Sequence, residues 1–226
     1  MSRQLSRRRF LKELLLAAGG LAAGNCTPKP GTPAAPSPAT HTHTVDGTVV
    51  GRPTAAGPIQ ITFLHFNDLH GALYAGSKGD RDLGGAAQLA GLVESERAAA
   101  SGPVFLLDAG DALQGTFISN RGRGEVVTEI QNAAGLSAMA LGNHEFDWGL
   151  DVLQERIRQA SFPFLAANLE TEAGKMLEGV LPYTVLDAGG VRVGVLGLTY
   201  HDIQEIVKAS AIAGLHSLPP VETVKR

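Results

Sequence analysis

The feature that most constrains the fold of this chain is an alternation of short apolar runs with amphipathic segments, beginning near residue 59. The apolar runs lie at residues 59–66, 104–109, 138–141 and 162–169. Runs of four to eight apolar residues indicate buried strands, and strands separated by helices pair in parallel. The pattern therefore predicts an α/β fold, with a sheet covered on its faces by helices.

The segments between these runs carry apolar residues at three- and four-residue spacing, which predicts helices with one apolar face. The positions that fit this spacing are Leu89, Leu92, Val93 and the polar Glu96 in the first segment, Val126, Val127, Ile130 and Ala134 in the second, and Leu150, Leu153 and Ile157 in the third.

Residues 182–199 interrupt this alternation. Two valine-rich stretches flank Gly189 and Gly190, and a glycine pair between apolar stretches predicts a β-hairpin. A hairpin requires antiparallel pairing, so we expect the sheet to be mixed.

Polar side chains follow three of the predicted strands at the point where each strand ends. Asp68 and His70 follow the first strand and Asp111 follows the second. The third is followed by the string GNHEFD, which contains Asn143, His144 and Asp147. Ligands of open α/β sheets bind beyond the carboxyl ends of the strands, so we expect these three loops to converge. Each motif alone is also compatible with turn and capping roles, and it is their combination that indicates a site.

The ordered strings NDLHG, DAGDALQG, GNHEFDWG and AANLE resemble the metallophosphoesterase superfamily, and within it the 5'-nucleotidase branch. The resemblance extends over residues 61–199. Ser137 stands where members of the family more often have aspartate, and this departure does not affect the motif residues. The resemblance implies a mixed-sheet α/β sandwich and a hydrolase that uses two divalent metal ions.

The family pattern assigns metal ligands by motif position. Asp68 and His70 would bind one ion, Asp111 would bridge it to a second, and Asn143 would bind the second. An aspartate can bridge two cations because its carboxylate has two anionic oxygens, which asparagine lacks. Mixed imidazole, carboxylate and amide ligands suit Mn²⁺, Zn²⁺ or Co²⁺, and the choice among them stays open.

The resemblance gives His144 and Asp147 catalytic rather than metal-binding roles. His144 would face the phosphate, and Asp147 would hold its ring. Three-residue spacing on one helical turn allows a carboxylate to orient an imidazole and to favour its charged form. An imidazolium can then stabilise phosphoryl charge or protonate the leaving alkoxide while hydroxide activated by the metals attacks phosphorus.

The first 26 residues differ in character from the rest of the chain. The string SRRRFLK (residues 6–12) precedes the apolar residues 14–23, a run too short to span a bilayer. It resembles a twin-arginine export signal, which implies recognition by that machinery and a periplasmic or cell-surface location. Cys26 follows the apolar run where lipid-anchored exported proteins carry their modified cysteine, although Asn25 is not the small residue expected before it.

Residues 27–58 are rich in Pro, Thr, Ala and Gly and predict a linker, which leaves residues 59–226 as the N-terminal part of a metallophosphoesterase domain. The formal net charge is −3, although residues 1–26 carry five basic groups against one acid, so the remainder is acidic. An acidic domain disfavours nucleic acid as a partner.

The resulting expectation is a phosphohydrolase that acts on nucleoside monophosphates or related nucleotide phosphoesters. The expected ligands leave the second ion with only two residues, Asp111 and Asn143, so we expect the catalytic domain to be incomplete at its C-terminus. Two alternatives stay open. One is a thiosulfohydrolase-like relative, and the other is an inactive, exported binding module.

Overall fold

The computed structural model describes residues 59–78 and 81–226. The predicted export signal, the linker and Cys26 lie outside the described residues. In chain order the strands are β1 (Thr62–Phe66), β2 (Gly76–Lys78), β3 (Arg81–Leu83), β4 (Val104–Asp108), β5 (Ala138–Ala140), β6 (Phe164–Leu165), β7 (Leu169–Thr171), β8 (Val180–Leu181), β9 (Tyr183–Asp187), β10 (Arg192–Leu196) and β11 (Leu215–Ser217).

The helices of the described part are mostly short, and none of them combines the length and apolarity needed to cross a membrane. They are α1 (Ala86–Ala99), α2 (Phe117–Gly122), α3 (Glu125–Ala133), α4 (Leu150–Gln159), α5 (Ile203–Ile206) and α6 (Pro220–Lys225), with 3₁₀ turns at His144–Phe146 and Ala209–Ala211.

The main sheet has five strands in the order β1-β4-β5-β6-β8, and each neighbouring pair is parallel. All of its strands therefore point their carboxyl ends in one direction, which brings the loops after β1, β4 and β5 to the same edge. This arrangement confirms the predicted α/β class and places the three polar motifs together.

The predicted hairpin is present and joins β9 to β10 in antiparallel register, from Arg192 opposite Asp187 to Leu196 opposite Tyr183. Gly189 and Gly190 have φ angles of 68° and 100°, a region in which glycine avoids the clash that a side chain would cause. The hairpin forms a two-stranded sheet of its own. Parallel and antiparallel pairing thus both occur in this fold, in separate sheets.

The core of the fold joins the parallel sheet to the helices. Leu106 of β4, Met139 of β5, Val127 of α3 and Leu153 of α4 belong to one buried cluster. Burying a side chain of this size contributes about 1.5–3 kcal/mol to the free energy of unfolding. The three predicted helices are confirmed, but Leu92 on α1 is 57% exposed, so the apolar face of α1 is narrower than its spacing predicted.

A buried carboxyl group ends β4. Asp108 is 3% exposed; its Oδ1 accepts a hydrogen bond from the Gly110 backbone N–H at 2.9 Å, and its Oδ2 accepts one from the Gln131 side-chain amide at 2.7 Å. Burial raises the pKa of Asp108 from 3.8 to about 7, against the opposing effect of these donors. The amide oxygen of Gln131, Oε1, is buried without a hydrogen-bond partner.

This environment predicts that Asp108→Asn stabilises the chain at pH 8. The folded state binds the Asp108 proton more tightly than the unfolded state, so the contribution of this group to stability falls as pH rises from 3.8 to about 7. Asparagine has no charge to bury, and its side-chain oxygen can still accept the Gly110 N–H. Once the Gln131 amide rotates, Gln131 Oε1 can accept a hydrogen bond from the asparagine side-chain amide. We expect the free energy of unfolding in urea, measured in chelator, to rise by about 1–3 kcal/mol at pH 8.

The matched control is Asp187→Asn. Asp187 is exposed and accepts the backbone N–H of Gly189, two residues along, as Asp108 accepts that of Gly110. We expect it to change the free energy of unfolding at pH 8 by less than about 0.5 kcal/mol. An Asp108→Asn chain whose stability depends on pH as steeply as that of the unsubstituted chain would contradict the prediction.

Candidate metal centre and its supporting contacts

The loops after β1 and β4 remain hydrogen-bonded to each other beyond the ends of their strands. The backbone N–H groups of Asp68, His70 and Gly71 donate to the carbonyls of Gly110, Asp111 and Ala112, at 2.9, 3.0 and 2.9 Å. The two loops therefore keep a fixed register, and Asp111 lies beside the segment that carries His70.

Three of the predicted metal ligands have a left-handed backbone. The φ angles of Asp68, His70 and Asp111 are 53°, 46° and 58°. Such a conformation costs a non-glycine residue of order 1 kcal/mol or more, and it persists only where surrounding contacts impose it. Here the bonds between the two loops impose it, and they turn both segments sharply at the edge of the sheet.

The structure brings His70, Asp111 and His144 together. Each of the three offers one ligand atom, and these atoms all lie within 4.8 Å of one another. The rings of His70 and His144 meet edge to face with centroids 5.0 Å apart. The group combines contributions from three loops, as the strand ends predicted, and two imidazoles with a carboxylate form a donor set suited to a divalent transition metal.

Both imidazoles are held by a hydrogen bond at Nδ1, which leaves Nε2 available. His70 Nδ1 lies 2.8 Å from the backbone carbonyl of Gln114, to which its N–H donates. His144 Nδ1 lies 2.8 Å from Oδ2 of Asp147. An outer hydrogen bond of this kind orients the ring and fixes which nitrogen carries the lone pair. The residues present therefore fit a divalent cation.

Asp68 and Asn143 lie at the margin of this group. Asp68 Oδ1 is 3.6 Å from His70 Nε2, and the side chain of Asp68 is 55% exposed. Asn143 is half-buried and comes directly before the 3₁₀ turn, where its carbonyl accepts the Phe146 N–H. By these distances the candidate metal ligands that lie together are His70, Asp111 and His144. The ligand roles of Asp68 and Asn143 stay predictions.

The glycine that ends the apolar run before Asn143 is required by packing. A Cβ on Gly142 would overlap the carboxylate of Asp111, and one on Gly110 would lie 2.6 Å from the Gly142 nitrogen. Both are shorter than any ordinary contact, so only glycine permits the β4 and β5 loops to approach this closely. The approach also allows the backbone N–H of His144 to donate to Asp111 Oδ1 at 2.8 Å.

Glu145 supports the site in a way that the sequence did not reveal. It is 1% exposed, and its two oxygens accept four backbone N–H groups: Asp111 and Gly142 donate to Oε2, and Ala112 and Leu113 donate to Oε1, at 2.8–3.2 Å. Burial raises the pKa of Glu145, and the backbone donors oppose that effect. The side chain of Glu145, in the loop after β5, therefore fixes the backbone of the loop after β4.

The charge state of His144 depends on its carboxylate neighbours. Burial alone lowers the pKa of His144, but the hydrogen bond and charge of Asp147, together with the charges of Asp111 and Glu145, outweigh burial and raise it. In the chain without metal, the imidazolium form therefore persists to higher pH than in a free histidine. This is the form that can donate a proton from Nε2.

The sequence matches the family described as calcineurin-like phosphoesterase over residues 61–211. A snake venom 5'-nucleotidase from Gloydius brevicauda is 39% identical over 155 residues, which make up 64% of this chain and 26% of that protein. This chain thus spans about a quarter of the length of that relative.

Solved structures give the same picture of the fold. A 5'-nucleotidase precursor from Thermus thermophilus superposes with a TM-score of 0.67 at 36% identity, over 73% of this chain and 33% of that one. A sulfate thiohydrolase from the same organism superposes with a TM-score of 0.66 over 76% of this chain and 41% of that one. Its identity is 19%, so this second similarity establishes the shared fold only.

The contacts of Glu145 predict that Glu145→Gln destabilises the loops around Asp111. A glutamine has one acceptor oxygen and a donor amide, so two of the four backbone N–H groups would lose their acceptor and face another donor. We expect the free energy of unfolding to fall by about 2–4 kcal/mol. We also expect amide hydrogen exchange to accelerate at Asp111, Ala112 and Gly142.

The control for this variant is Glu178→Gln, which makes the same chemical change on an exposed side chain. Its free energy of unfolding should change by less than about 0.5 kcal/mol. If Glu145→Gln proved equally mild, or if exchange accelerated uniformly over the chain, the supporting role of Glu145 would be wrong.

Proposed function

Since this chain belongs to the calcineurin-like phosphoesterase family, as its motifs predicted, we propose that it carries the metal-binding half of a 5'-nucleotidase-like phosphohydrolase. The observation that supports this best is the convergence of His70, Asp111 and His144, with each ring held by a hydrogen bond at Nδ1. The relatives named 5'-nucleotidase support nucleoside monophosphates as the substrate.

We propose that the centre would hold two divalent ions; Asp68 and His70 would bind one, Asn143 would bind the other, and Asp111 would serve both. Bound divalent ions supply Lewis acidity there, since they neutralise phosphoryl charge and acidify the attacking water. The backbone carbonyl of Asp111 accepts the His70 N–H, and its side-chain Oδ1 accepts the backbone N–H of His144. It is therefore the residue best placed to link the two halves of the centre.

His144 is proposed to handle the proton of the reaction. Water adds to phosphorus, the bond from phosphorus to the ester oxygen breaks, and Nε2 of His144 gives its proton to that departing oxygen. The products are an alcohol and inorganic phosphate, and the proton lost by the water restores the imidazolium. Asp147, 2.8 Å from Nδ1, keeps the ring oriented and favours its charged form before the proton is transferred.

The proposal predicts that Asp111→Asn abolishes metal-dependent phosphate release from AMP. Asparagine retains an oxygen for the His144 N–H but removes the charge that two cations would share. We expect kcat/KM with Mn²⁺ or Co²⁺ to fall at least about 100-fold. The measurement compares phosphate release with and without chelator, in this chain and in any longer product of the same gene.

Asp151→Asn is the control for this variant, because Asp151 is an exposed aspartate in the first turn of α4. It should keep full activity. Activity retained by Asp111→Asn would defeat the assignment. Sulfate release from a thiosulfonate substrate, without phosphate release from AMP, would favour the thiosulfohydrolase-like alternative, and the absence of both reactions would favour a binding module.

We further propose that the chain is exported through the twin-arginine route to the periplasm or cell surface, with Cys26 as the candidate position for lipid attachment. The supporting observation is the string SRRRFLK directly before an apolar run and a single cysteine. The proposed boundaries remain residues 1–26 for the signal, 27–58 for the linker, and 59–226 for the catalytic part.

Export by this route predicts that a paired Arg7→Lys and Arg8→Lys chain accumulates in the cytoplasm of a bacterium that has the twin-arginine machinery. The receptor reads the paired guanidinium groups, which lysine does not reproduce. Cell fractionation followed by immunoblotting measures the exported fraction. Arg9→Lys changes the variable position of the same motif and should export normally, whereas normal export of the paired variant would contradict the assignment.

A further inference from the structure

The ring of His70 rests on a turn at residues 113–116, which lies directly before α2. The backbone carbonyl of Gln114 accepts the Nδ1 N–H of His70 at 2.8 Å. The backbone N–H of Thr116 donates to the carbonyl of His70 at 3.0 Å. This segment, which we call the ring-support turn, therefore contacts both the side chain and the backbone of His70.

Two glycines allow the ring-support turn and α2 to pack directly on the segment of His70. A Cβ on Gly115 would overlap the carbonyl oxygen of His70 and would lie 2.7 Å from its Cβ. A Cβ on Gly71 would overlap the Cβ of Ser119, which belongs to α2. Only glycine permits approaches of this kind, so the sequence itself commits α2 to this position beside His70.

The side chain of Asn120, on α2, holds the middle of the ring-support turn. Its Oδ1 accepts the backbone N–H of Gly115 at 3.0 Å, and its Nδ2 donates to the carbonyl of Gly115 at 3.1 Å. These two partners determine which way the amide points, because the reversed amide would set a donor against a donor.

The N–H of Gly115 and the carbonyl of Gln114 belong to the same planar peptide group. Asn120 Oδ1 binds this group on its N–H side, and the ring of His70 binds it on its carbonyl side. A single rigid unit thus connects the side chain of Asn120 to the imidazole of His70.

This connection has two physical effects on the imidazole. An acceptor at the N–H restrains rotation of the peptide plane, and it polarises the carbonyl so that its oxygen accepts hydrogen bonds more strongly. A stronger acceptor at Nδ1 keeps the proton of the neutral ring there and leaves the lone pair on Nε2, the nitrogen that lies 3.6 Å from Asp68 Oδ1. The lone pair of His70 is thereby directed towards the candidate metal centre.

Building on the proposed metal centre, we propose that Asn120 is a positioning residue of that centre. It fixes the orientation and the tautomer of His70 through the peptide group between Gln114 and Gly115. Because Asn120 is exposed, water can replace part of what it supplies. Its effect on metal affinity should therefore lie below the roughly 10–100-fold that is typical of a direct outer partner of a metal ligand.

The first test measures the tautomer of His70 without metal. In the full chain labelled with ¹⁵N-histidine, at pH 8 in chelator, NMR of the imidazole nitrogens reports which nitrogen carries the proton, and His70→Gln identifies the signal of His70. We expect the Nδ1–H form to dominate, and the ratio of Nδ1–H to Nε2–H to fall about three- to tenfold in Asn120→Ala. Asn120→Asp keeps an acceptor for the Gly115 N–H and should retain the ratio.

The matched control is Asn132→Ala. The Oδ1 of Asn132 accepts the backbone N–H of Ser161 at 2.7 Å, and its Nδ2 donates to the carbonyl of Gln159 at 2.9 Å. This variant removes the same two kinds of hydrogen bond from contacts that do not include the loops of the candidate metal centre. Its His70 tautomer should equal that of the unsubstituted chain, and urea unfolding verifies that both alanine variants are folded.

The second test measures Mn²⁺ binding by calorimetry on the same chains without chelator. We expect the Kd to rise about two- to tenfold in Asn120→Ala and to be unchanged in Asn132→Ala. Asn120→Asp should bind Mn²⁺ at least as tightly as the unsubstituted chain. The role of Asn120 is overturned if Asn120→Ala leaves the tautomer unaltered, even where affinity falls, or if Asn132→Ala produces the same changes.

Phosphate release from AMP separates this inference from the proposed function. Metal-dependent release, together with a tautomer that Asn120→Ala does not alter, would overturn the role of Asn120 and leave the proposed function standing. A shifted tautomer and weaker Mn²⁺ binding in Asn120→Ala, without phosphate release by any of the chains, would support the role of Asn120 and count against the hydrolase.

Discussion

The candidate site depends on one buried carboxyl group. Glu145 accepts the backbone N–H groups of Asp111, Ala112, Leu113 and Gly142, and it has almost no contact with solvent. Four donors pointing at two oxygens would be costly to leave unpaired in the interior, so the arrangement has little freedom to relax. Through the hydrogen bonds of Glu145, the loop that carries His144 therefore fixes the loop that carries Asp111.

A second set of contacts complements the first. The loop of Asp68 and His70 is hydrogen-bonded through its backbone to the loop of Asp111. Gly110 and Gly142 permit the loop of Asp111 to approach the loop of His144 closely. Three separate chain segments thus share one rigid frame, while the Nε2 atoms of His70 and His144 stay available for a ligand. A frame made largely of backbone contacts leaves the side chains available for chemistry, which agrees with how functional sites are commonly supported.

Much of this fold was predictable because its periodic signals are strong. Parallel strands buried on both faces are nearly continuous in hydrophobicity, and the glycine pair at Gly189 and Gly190 identified the hairpin. The sequence could not show that the hairpin would leave the main sheet, because strand pairing is a long-range property. It also predicted Leu92 as part of a buried face, since helical spacing does not report how wide a groove the neighbouring elements leave.

Some residues of the candidate site could also be predicted from the sequence, and others could not. Asp68, His70, Asp111, Asn143, His144 and Asp147 occur in motifs that chemistry can interpret, and the strand ends explain why three of them meet. Glu145 has backbone partners that lie mostly in a distant loop. No local pattern distinguishes such a residue from an ordinary capping residue, so coordinates were needed to find its role.

The left-handed backbone of Asp68, His70 and Asp111 has an evolutionary consequence. At each of these positions glycine would relieve a conformational cost and make the bare polypeptide more stable, at the loss of a ligand. Drift towards greater stability and the maintenance of chemistry therefore oppose each other at the same three codons. In a lineage that no longer needs the chemistry, these codons should be among the first to change.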